Sequence, residues 1–391
     1  MHYQDLVNEL LSKKRLRINP HLDSIKKILS LFGNPQQKLS CVHVAGTNGK
    51  GSVCAMLASI FLAQGKKVGL YTSPHLIDVT ERIVVNDKSI SQEQFCFYGE
   101  KILKYSLEKN VDLTFFEIVT AMAFLYFSDE QVDVVVLETG LGGTWDAANV
   151  VMPLVSVITN VTFDHTDILG KDLVSIAKEK AGIIKEKISV VTAAEGEALE
   201  VLRFYAEQKH APLIVAKPYS GNISLHGDFQ KVNAGVAYAV ARVLGVDEEC
   251  IQKGIATAYW PGRCEFLNER LLIDGAHNPA GVLVLRDYVD SLSKNYEGVV
   301  IVFGVNKTKD YETMLSLLPE HDILIVTQSQ HPDALDPAEI GQGIIIPDPV
   351  EAVKSALSLR PKALIVCCGS LYFLGDVIHA FKKNDDRGKR V

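Results

Sequence analysis

The chain has 391 residues, and its 40 Lys and Arg against 47 Asp and Glu give a formal net charge of −7 at pH 7. A hydrophobic fraction of 47% and a charged fraction of 22% are ordinary for globular proteins and exclude a disordered or fibrous chain. The mildly acidic balance argues against a dedicated nucleic-acid binder, and the length predicts two or three domains.

The distribution of apolar residues disfavours membrane and secretory roles. The longest apolar stretch, Ala363–Leu374, falls short of the roughly 18–20 residues that a membrane span requires. Met1–Asp5 lacks the basic-then-apolar pattern of a signal peptide. The seven cysteines are odd in number and form no CxxC pair, which favours reduced core thiols over disulfides or a metal site. We therefore expect a soluble, cytoplasmic protein.

Short β-branched runs alternate with helical stretches, a pattern typical of a doubly wound α/β fold with a mostly parallel sheet. Only the tail, Lys382–Val391, is predicted to be disordered. The first set of predicted strands comprises Cys41–Ala45, Lys67–Tyr71, Val132–Glu138, Leu154–Thr159, Ile188–Thr192 and Pro212–Ala216. The second set comprises Arg270–Asp274, Gly298–Phe303, Asp322–Thr327, Gly343–Ile346 and Ala363–Cys368.

A Pro-Gly breaker separates the two sets of predicted strands. It lies in Tyr259–Arg263, and such breakers are typical of linkers, so we place a linker near residues 259–264. The sequence therefore predicts a larger doubly wound domain over residues 1–260 and a smaller Rossmann-like α/β domain over residues 261–391. A cleft between two such domains is a favoured place for a ligand.

The strongest local signal is a Gly-rich turn between the first predicted strand and a helical periodicity that begins at Val53. Glycines let backbone N–H groups point at phosphates, Lys50 adds positive charge, and Ser52 can bind Mg²⁺ at the start of a helix. The generic P-loop pattern is not met literally, because Gly51 separates Lys50 from Ser52. A Gly-rich turn with a solvated lysine is the alternative. The candidate nucleotide-binding residues are Gly46, Thr47, Asn48, Gly49, Lys50, Gly51 and Ser52.

Two polar residues in the middle of the chain are candidate metal ligands. Glu138 ends a strongly apolar predicted strand, where a carboxylate is costly to bury unless it binds a metal or a hydrogen-bond donor. His165 lies between Asp164 and Asp167, just after another predicted strand, and could supply a second ligand. A histidine satisfied by the core is the alternative for His165.

The segment Gly46–Ser52 resembles the nucleotide loop of the Mur ligase superfamily, specifically its folylpolyglutamate synthase/dihydrofolate synthase branch. Further blocks resemble this branch in the same order, and together they cover about residues 43–280, with Cys368–Tyr372 beyond them. These blocks are Thr72–Leu76, Glu81–Arg82, Thr114–Glu117, Glu138–Gly143, Asp164–Thr166, Glu179–Ile183, Pro261–Arg263 and Asp274–Pro279.

The resemblance implies an ATP site with two Mg²⁺ ions. One Mg²⁺ would bind the ATP phosphates with Ser52, Ser73 and Glu138. The second would bind Glu138 and His165, assisted by Lys180 as a carbamate. Without the resemblance, Lys180 would be interpreted as a solvated helix lysine.

Other site residues are also implied by the resemblance. Asn233 would lie near the adenine, Asp274 on the ribose side, His277 near an acyl phosphate, and Arg263 would contact the ATP phosphates. Lys309 occupies the position of a Lys-Asp pair in the family, although a solvated loop is equally plausible there. The candidate folate-binding residues are Pro74, His75, Arg82, Phe115 and Phe116.

The resemblance implies ATP-dependent addition of L-glutamate to dihydropteroate or reduced folates through an acyl phosphate. We also expect a monomer with no nucleic-acid or membrane partner. A peptidoglycan-building Mur ligase is the rival, but those enzymes carry a UDP-binding domain before the nucleotide loop, and only 45 residues precede Gly46 here. An inactive nucleotide-binding relative is a third possibility. It is suggested by Thr144-Trp145, where many family members have Arg-Leu.

Overall fold

The computed structural model describes residues 2–13 and 21–385. The last helix ends at Asp385, and the rest of the predicted disordered tail, residues 386–391, lies outside the described residues. The chain forms two compact units. The first comprises the described parts of Met1–Thr162, Leu169–Ser224 and Lys231–Tyr259, and the second those of Phe163–Ile168, Leu225–Gln230 and Trp260–Val391.

The first unit contains an eight-stranded sheet in the order β4-β3-β2-β5-β1-β6-β7-β8. Pairing is parallel except for the antiparallel pairs β2–β3 and β3–β4. Its strands are β1 Cys41–Ala45, β2 Val68–Tyr71, β3 Ile83–Val85, β4 Lys88–Ser89, β5 Val134–Glu138, β6 Val155–Ile158, β7 Val190–Thr192 and β8 Leu213–Val215.

The second unit contains a six-stranded sheet in the order β13-β12-β11-β14-β10-β9. Only the β9–β10 pair is antiparallel among the described strands of this sheet. Its strands are β9 Glu265–Asn268, β10 Leu271–Ile273, β11 Val299–Phe303, β12 Ile323–Val326, β13 Ile344–Ile345 and β14 Leu364–Cys368.

Helices lie in most of the connections between parallel strands, which need a crossover. The α-helices are α1 Tyr3–Ser12, α2 Asp23–Ser30, α3 Lys50–Ala63, α4 Gln92–Glu108, α5 Phe115–Asp129, α6 Thr166–Leu169, α7 Leu173–Ala181, α8 Gly196–Gln208, α9 Phe229–Val243, α10 Glu248–Thr257, α11 Pro279–Ser293, α12 Tyr311–Ser316, α13 Pro349–Leu359 and α14 Leu371–Asp385. Short 3₁₀ helices cover Pro35–Gln37, Val79–Arg82, Ala147–Val150 and Pro337–Ile340.

The centre of the first unit is built from strands and helices that are mostly apolar. Strands β1 and β5 are buried at every position, as expected when helices cover both faces of a parallel sheet. Helix α5 is buried along most of its length for the same reason. Two polar residues on these strands, His43 and Glu138, are buried, at 0% and 4% exposure. Such burial demands compensating contacts.

The structure confirms the predicted α/β class. Each predicted strand is present, with bounds that shift by at most two residues. The sequence missed β3, β4 and β9, which all pair antiparallel at or near a sheet edge. No helix within the described residues is long and apolar enough to cross a membrane.

Candidate active site

The phosphate loop joins β1 to α3 through two glycines in conformations that side chains rarely adopt. Gly46 has φ +146° and Gly49 has φ +84°. A β-carbon on Gly46 would collide with the side chain of Thr159, and one on Gly49 would collide with the carboxamide of Asn233. Both turns therefore require glycine. The close approach also places the buried Asn233 directly against the loop.

Residues after β6 hold the phosphate loop in place. Asn160 accepts a hydrogen bond from the Thr47 amide with its backbone oxygen at 3.0 Å and one from the Asn48 amide with its side-chain oxygen at 2.9 Å. Thr159 Oγ1 donates to the Asn48 carbonyl at 2.7 Å. Lys50 Nζ, in the first turn of α3, donates to the Thr47 carbonyl at 3.0 Å. Thr159 and Asn160 have structural roles that the sequence analysis missed.

Lys180 is part of the phosphate-loop assembly. It lies near the end of α7 with only 3% of its surface exposed, and its Nζ donates to the Gly46 carbonyl at 2.9 Å. The alternative of a solvated helix lysine is therefore wrong. A buried amine at the turn of the phosphate loop has a position from which it can act on bound phosphates.

Glu138 and Ser73 meet at the carboxyl ends of two neighbouring strands. The Oε2 atom of Glu138 accepts a hydrogen bond from the Ser73 amide at 3.0 Å. Burial raises the pKa of the Cys54 thiol well above its usual value; the negative charge of Glu138 raises it further, while Lys50 lowers it. The charges of Glu138 and Lys50 therefore both lie near Cys54 in the first unit. Ser52, in the first turn of α3, is also buried there, at 2% exposure.

The donor set in the first unit suits Mg²⁺ better than a transition metal. Within the described residues, no group of three or more His, Cys, Asp or Glu side chains could hold a metal ion. The Ser52 hydroxyl and the Glu138 carboxylate are hard oxygen donors of the kind that Mg²⁺ prefers, and Mg²⁺ commonly combines one or two carboxylates with water and phosphates. These residues therefore fit a metal that arrives with a phosphorylated ligand.

A charged cluster surrounds Asp164 in the second unit. Its carboxylate accepts hydrogen bonds from Lys309 Nζ at 2.6 Å and Asn278 Nδ2 at 2.9 Å, and lies 3.5 Å from His277 Nε2. Burial alone would raise the pKa of Asp164, but the neighbouring His277 and Lys309 hold it well below its usual range. His165 Nε2 lies 3.3 Å from Lys309 Nζ, so the structure brings the predicted His165 and His277 together around one carboxylate.

Asp274 joins the end of the predicted linker to the loop after β10 by hydrogen bonds. Its carboxylate accepts hydrogen bonds from the backbone amides of Cys264 and Ala276, both at 2.8 Å. The Arg263 guanidinium lies beside Gly275, where a β-carbon would meet its Nη1 atom at 3.0 Å. The structure therefore places Arg263 and Asp274 around the same short segment of the second unit.

The candidate folate-binding residues form a polar and aromatic group in the first unit. Pro74 follows a cis peptide bond. Arg82 Nε donates to His75 Nδ1 at 2.9 Å, and the Arg82 guanidinium lies 5.3 Å from the centre of the Phe115 ring. Phe116 packs against Gly140, since a β-carbon there would meet its ring.

Two of the sequence blocks that suggest the family also mark the starts of helices. Thr114 and Glu117 form a capping box at α5, and Asp78 and Glu81 form another at Val79–Arg82. In each box the side chains satisfy backbone amides that the first helical turn leaves without partners. Part of the resemblance therefore reflects folding requirements and not ligand contacts.

The chain matches two family models. Residues 44–243 match the Mur ligase middle domain, and residues 262–371 match the Mur ligase glutamate ligase domain. A relative from Bacillus subtilis (strain 168), named dihydrofolate synthase/folylpolyglutamate synthase, is 35% identical over 96% of this chain and 98% of its own length. The chain belongs to the folylpolyglutamate synthase branch of the Mur ligase superfamily.

Other relatives of this branch differ in length. A Haloferax volcanii protein, named probable bifunctional folylpolyglutamate synthase/dihydropteroate synthase, is 36% identical over 82% of this chain, which spans only 42% of that protein. A structure of Mycobacterium tuberculosis folylpolyglutamate synthase complexed with ADP has a TM-score of 0.89 at 30% identity and covers 97% of this chain and 98% of its own. E. coli FolC in complex with DHPP and ADP has a TM-score of 0.88 at 28% identity, covering 98% and 99%.

The departure of this chain from the branch pattern, Thr144-Trp145, lies in the loop after β5. The Thr144 amide and hydroxyl both donate to the Glu179 carbonyl, at 3.0 Å and 3.1 Å. Trp145 is 42% exposed and makes an edge-to-face contact with His21 at 6.1 Å. Thr144 thus binds the end of α7, next to Lys180, which the sequence alone did not indicate.

Proposed function

We propose that the protein is an ATP-dependent ligase that adds L-glutamate to dihydropteroate, to reduced folates or to both. The observation that carries the proposal is the phosphate loop, where the buried amine of Lys180 donates to Gly46 and the buried Glu138 ends the neighbouring strand. The name of the Bacillus subtilis relative and the ADP and DHPP in the E. coli FolC complex support this substrate class.

The proposed reaction has two steps. An oxygen of the acceptor carboxylate attacks the γ-phosphorus of ATP, which forms an acyl phosphate and releases ADP. The α-amine of L-glutamate then attacks the acyl carbon, inorganic phosphate leaves, and the amine gives up a proton. Phosphoryl transfer depends on positioning and charge neutralisation more than on covalent help from the protein. The amides of the phosphate loop, Lys50 and Arg263 supply those functions in our proposal.

Two Mg²⁺ sites belong to the proposal, and the bound ions would supply further neutralisation of phosphate charge. Ser52, Ser73 and Glu138 would hold the first ion. Glu138, His165 and a carbamylated Lys180 would hold the second. Carbamylation would turn the buried Lys180 amine into an anionic oxygen donor, whose charge Mg²⁺ would balance, and the carbamate would keep one N–H for the Gly46 carbonyl.

The remaining substrate contacts are proposed from the positions of single side chains. Asn233, which lies against the phosphate loop, would contact the adenine. Asp274 Oδ2 accepts from the amide and the thiol of Cys264, whereas Oδ1 accepts from the Ala276 amide and has a second lone pair that could accept from a ribose hydroxyl. His277 would lie near the acyl phosphate, and the group around Arg82 and Phe115 would receive the folate. The expected monomer stays a prediction.

An ADP-release assay tests the proposal. The protein is incubated with ATP, Mg²⁺ and L-glutamate, and with dihydropteroate or tetrahydrofolate side by side. We expect ADP release that requires both glutamate and at least one pterin acceptor. ADP release with neither acceptor, combined with turnover of another carboxylate, would instead identify a different Mur-type amide ligase. Nucleotide binding without turnover of any acceptor would identify an inactive relative.

A further inference from the structure

The loop Gly140–Asn149, which follows β5, is fastened to the end of helix α7 by its backbone. Within this loop, the backbone at Gly143 lies so close to α7 that a β-carbon would meet the carbonyl oxygens of Glu179 and Lys180. In the same way, a β-carbon on Gly182 would collide with Thr144. Contact of backbone with backbone on both sides leaves little freedom for α7 to shift relative to this loop.

The same loop also donates hydrogen bonds to carbonyl groups at the end of helix α7. The last carbonyls of a helix have no partner among the amides of the helix itself. Glu179 O accepts from the Thr144 amide and hydroxyl as well as from the Gly182 amide, and the carbonyl of Gly182, the residue after α7, accepts from Asn149 Nδ2 at 3.1 Å. The loop therefore acts as a cap for the turn of helix that carries Lys180.

Hydrogen bonds of Asn149 and Lys185 hold this cap together. Asn149 Nδ2 donates both to the Gly182 carbonyl and to the Thr144 carbonyl, each at 3.1 Å. Its Oδ1 accepts from Lys185 Nζ at 2.7 Å, and the same Nζ donates to the Asn149 carbonyl at 3.2 Å. Because Lys185 takes the oxygen side of the amide, the nitrogen side is oriented toward the two carbonyls.

Lys185 occupies this position at an electrostatic cost. Burial, with the nearby charges of Lys26 and Lys209, lowers the pKa of its amine to about 8. Burial and nearby positive charges both disfavour the charged form of a lysine amine, so an unbonded lysine would be more stable in solvent. The two hydrogen bonds to Asn149 offset this cost, which indicates a specific role for the Lys185 amine.

We propose that Lys185, acting through Asn149, is a positioning residue that holds the end of α7 so that Lys180 keeps its contact with the phosphate loop. The connection runs from Lys185 to Asn149, from Asn149 to Gly182 and Thr144, and from that turn through Lys180 Nζ to Gly46. The inference rests on the proposed ligase function, since Lys180 matters there through bound nucleotide.

The first experiment compares Lys185→Met with the wild type in ADP affinity and in steady-state kinetics. Lys185→Met keeps the apolar stem and removes the donor. We expect ADP affinity and kcat to fall about tenfold, with the acceptor KM little changed. Lys185→Arg retains donors and should restore most of the loss. The matched control is Lys178→Met, which removes an exposed lysine from helix α7.

The second experiment is a double-mutant cycle on ADP affinity with Lys180→Met. If Lys185 acts through Lys180, adding Lys185→Met to Lys180→Met should cause almost no further loss of affinity, while adding Lys178→Met should behave additively. Circular dichroism and the melting temperature verify that each variant is folded.

The outcomes separate the inference from the proposed function. If the wild type turns over no acceptor, the proposed function fails, and the ADP cycle still tests the connection. If Lys185→Met matches Lys178→Met, or if its effect adds fully to that of Lys180→Met, the inference is overturned. A loss that Lys185→Arg does not restore would also overturn it.

Discussion

Single buried polar residues in the first unit show how a side chain can be fixed in one protonation state. His43 lies on the central strand β1 with no exposed surface; its Nε2 is 2.9 Å from Thr139 Oγ1, and its Nδ1 has no hydrogen-bond partner among the described residues. Burial, with a smaller contribution from Lys185, lowers its pKa to about 3. The ring is therefore neutral at physiological pH.

The His43 pKa predicts a loss of stability in mild acid. Because the unfolded chain binds a proton below about pH 6.5 and the folded ring does not, the folded state loses stability as pH falls from 6.5 toward 3. Between pH 7 and pH 5 this one group should cost about 2 kcal/mol. We expect His43→Gln to reduce the difference between urea unfolding free energies at these pH values by that amount. The exposed His210→Gln is the control; an equal reduction in both variants would contradict the prediction.

Asp146 shows the opposite response to burial. Its carboxylate is almost fully buried and accepts hydrogen bonds from the backbone amides of Gly140, Leu141 and Ala148. Burial raises its pKa to about 6 although these amides lower it. The hydrogen bonds of Asp146 thus hold together the loop that carries Thr144 and Asn149, although burial makes this carboxyl costly to ionise. The sequence pattern did not indicate this role.

At the scale of elements, the sequence predicted the strands that are continuous runs of apolar residues. Strands such as β1, β5 and β14 are buried at every position and stood out as runs of β-branched residues. Strands β4 and β9 contain exposed or half-buried residues and pair antiparallel near a sheet edge, so their composition carries no such signal. The sequence therefore missed β4 and β9, because neither strand contains a continuous run of buried residues.

The residues of the candidate site also fall into those that the sequence predicts and those that it does not. The glycines and Lys50 of the phosphate loop are visible in the sequence because their spacing is local. The hydrogen bonds of Thr159 and Asn160 to the phosphate loop, and that of Lys185 to Asn149, join positions that are 111, 112 and 36 residues apart. Spacing along the chain cannot encode such contacts, and only the family resemblance indicated Lys180.

The capping box of helix α5 leads to a prediction about element stability. Thr114 Oγ1 accepts from the Glu117 amide at 3.2 Å and donates to its carboxylate at 2.9 Å, and burial raises the pKa of Glu117. Thr114→Ala removes the cap and a partner of a buried carboxylate, so we expect a loss of about 1–2 kcal/mol in the unfolding free energy. Ser91→Ala, which removes the more exposed capping box of α4, should cost less. Equal losses in urea titrations would argue against the buried-carboxylate contribution.

At the scale of the whole molecule, the net charge of −7 opposes the anionic ligands in the proposed reaction. Binding must then depend on local positive groups and not on the overall field. Lys50 and Lys180 lie at the phosphate loop of the first unit, and Arg263 and Lys309 lie in the second. Each unit thus contains local positive groups despite the acidic average.

The two units are interleaved along the sequence. Phe163–Ile168 and Leu225–Gln230 belong to the second unit although they precede Trp260, where the main part of that unit begins. In the first of these segments, the Asp164 carboxylate accepts hydrogen bonds from Lys309 and Asn278 and lies close to His277. The second unit therefore depends on residues that a single boundary near residue 260 would assign to the first.

This dependence predicts that Asp164→Asn destabilises the second unit selectively. The side chains of Asp164 and Lys309 are only 8% and 10% exposed, and removing one partner of a buried pair leaves the other charge uncompensated, at a cost of about 3 kcal/mol. Hydrogen exchange should show faster opening of β10, β11 and β14, while β1 and β5 keep their protection. Lys362→Met, which breaks an exposed pair with Glu297 in the same unit, should leave both sheets unchanged. Equal acceleration in the two sheets would show that Asp164 stabilises the whole chain and not the second unit alone.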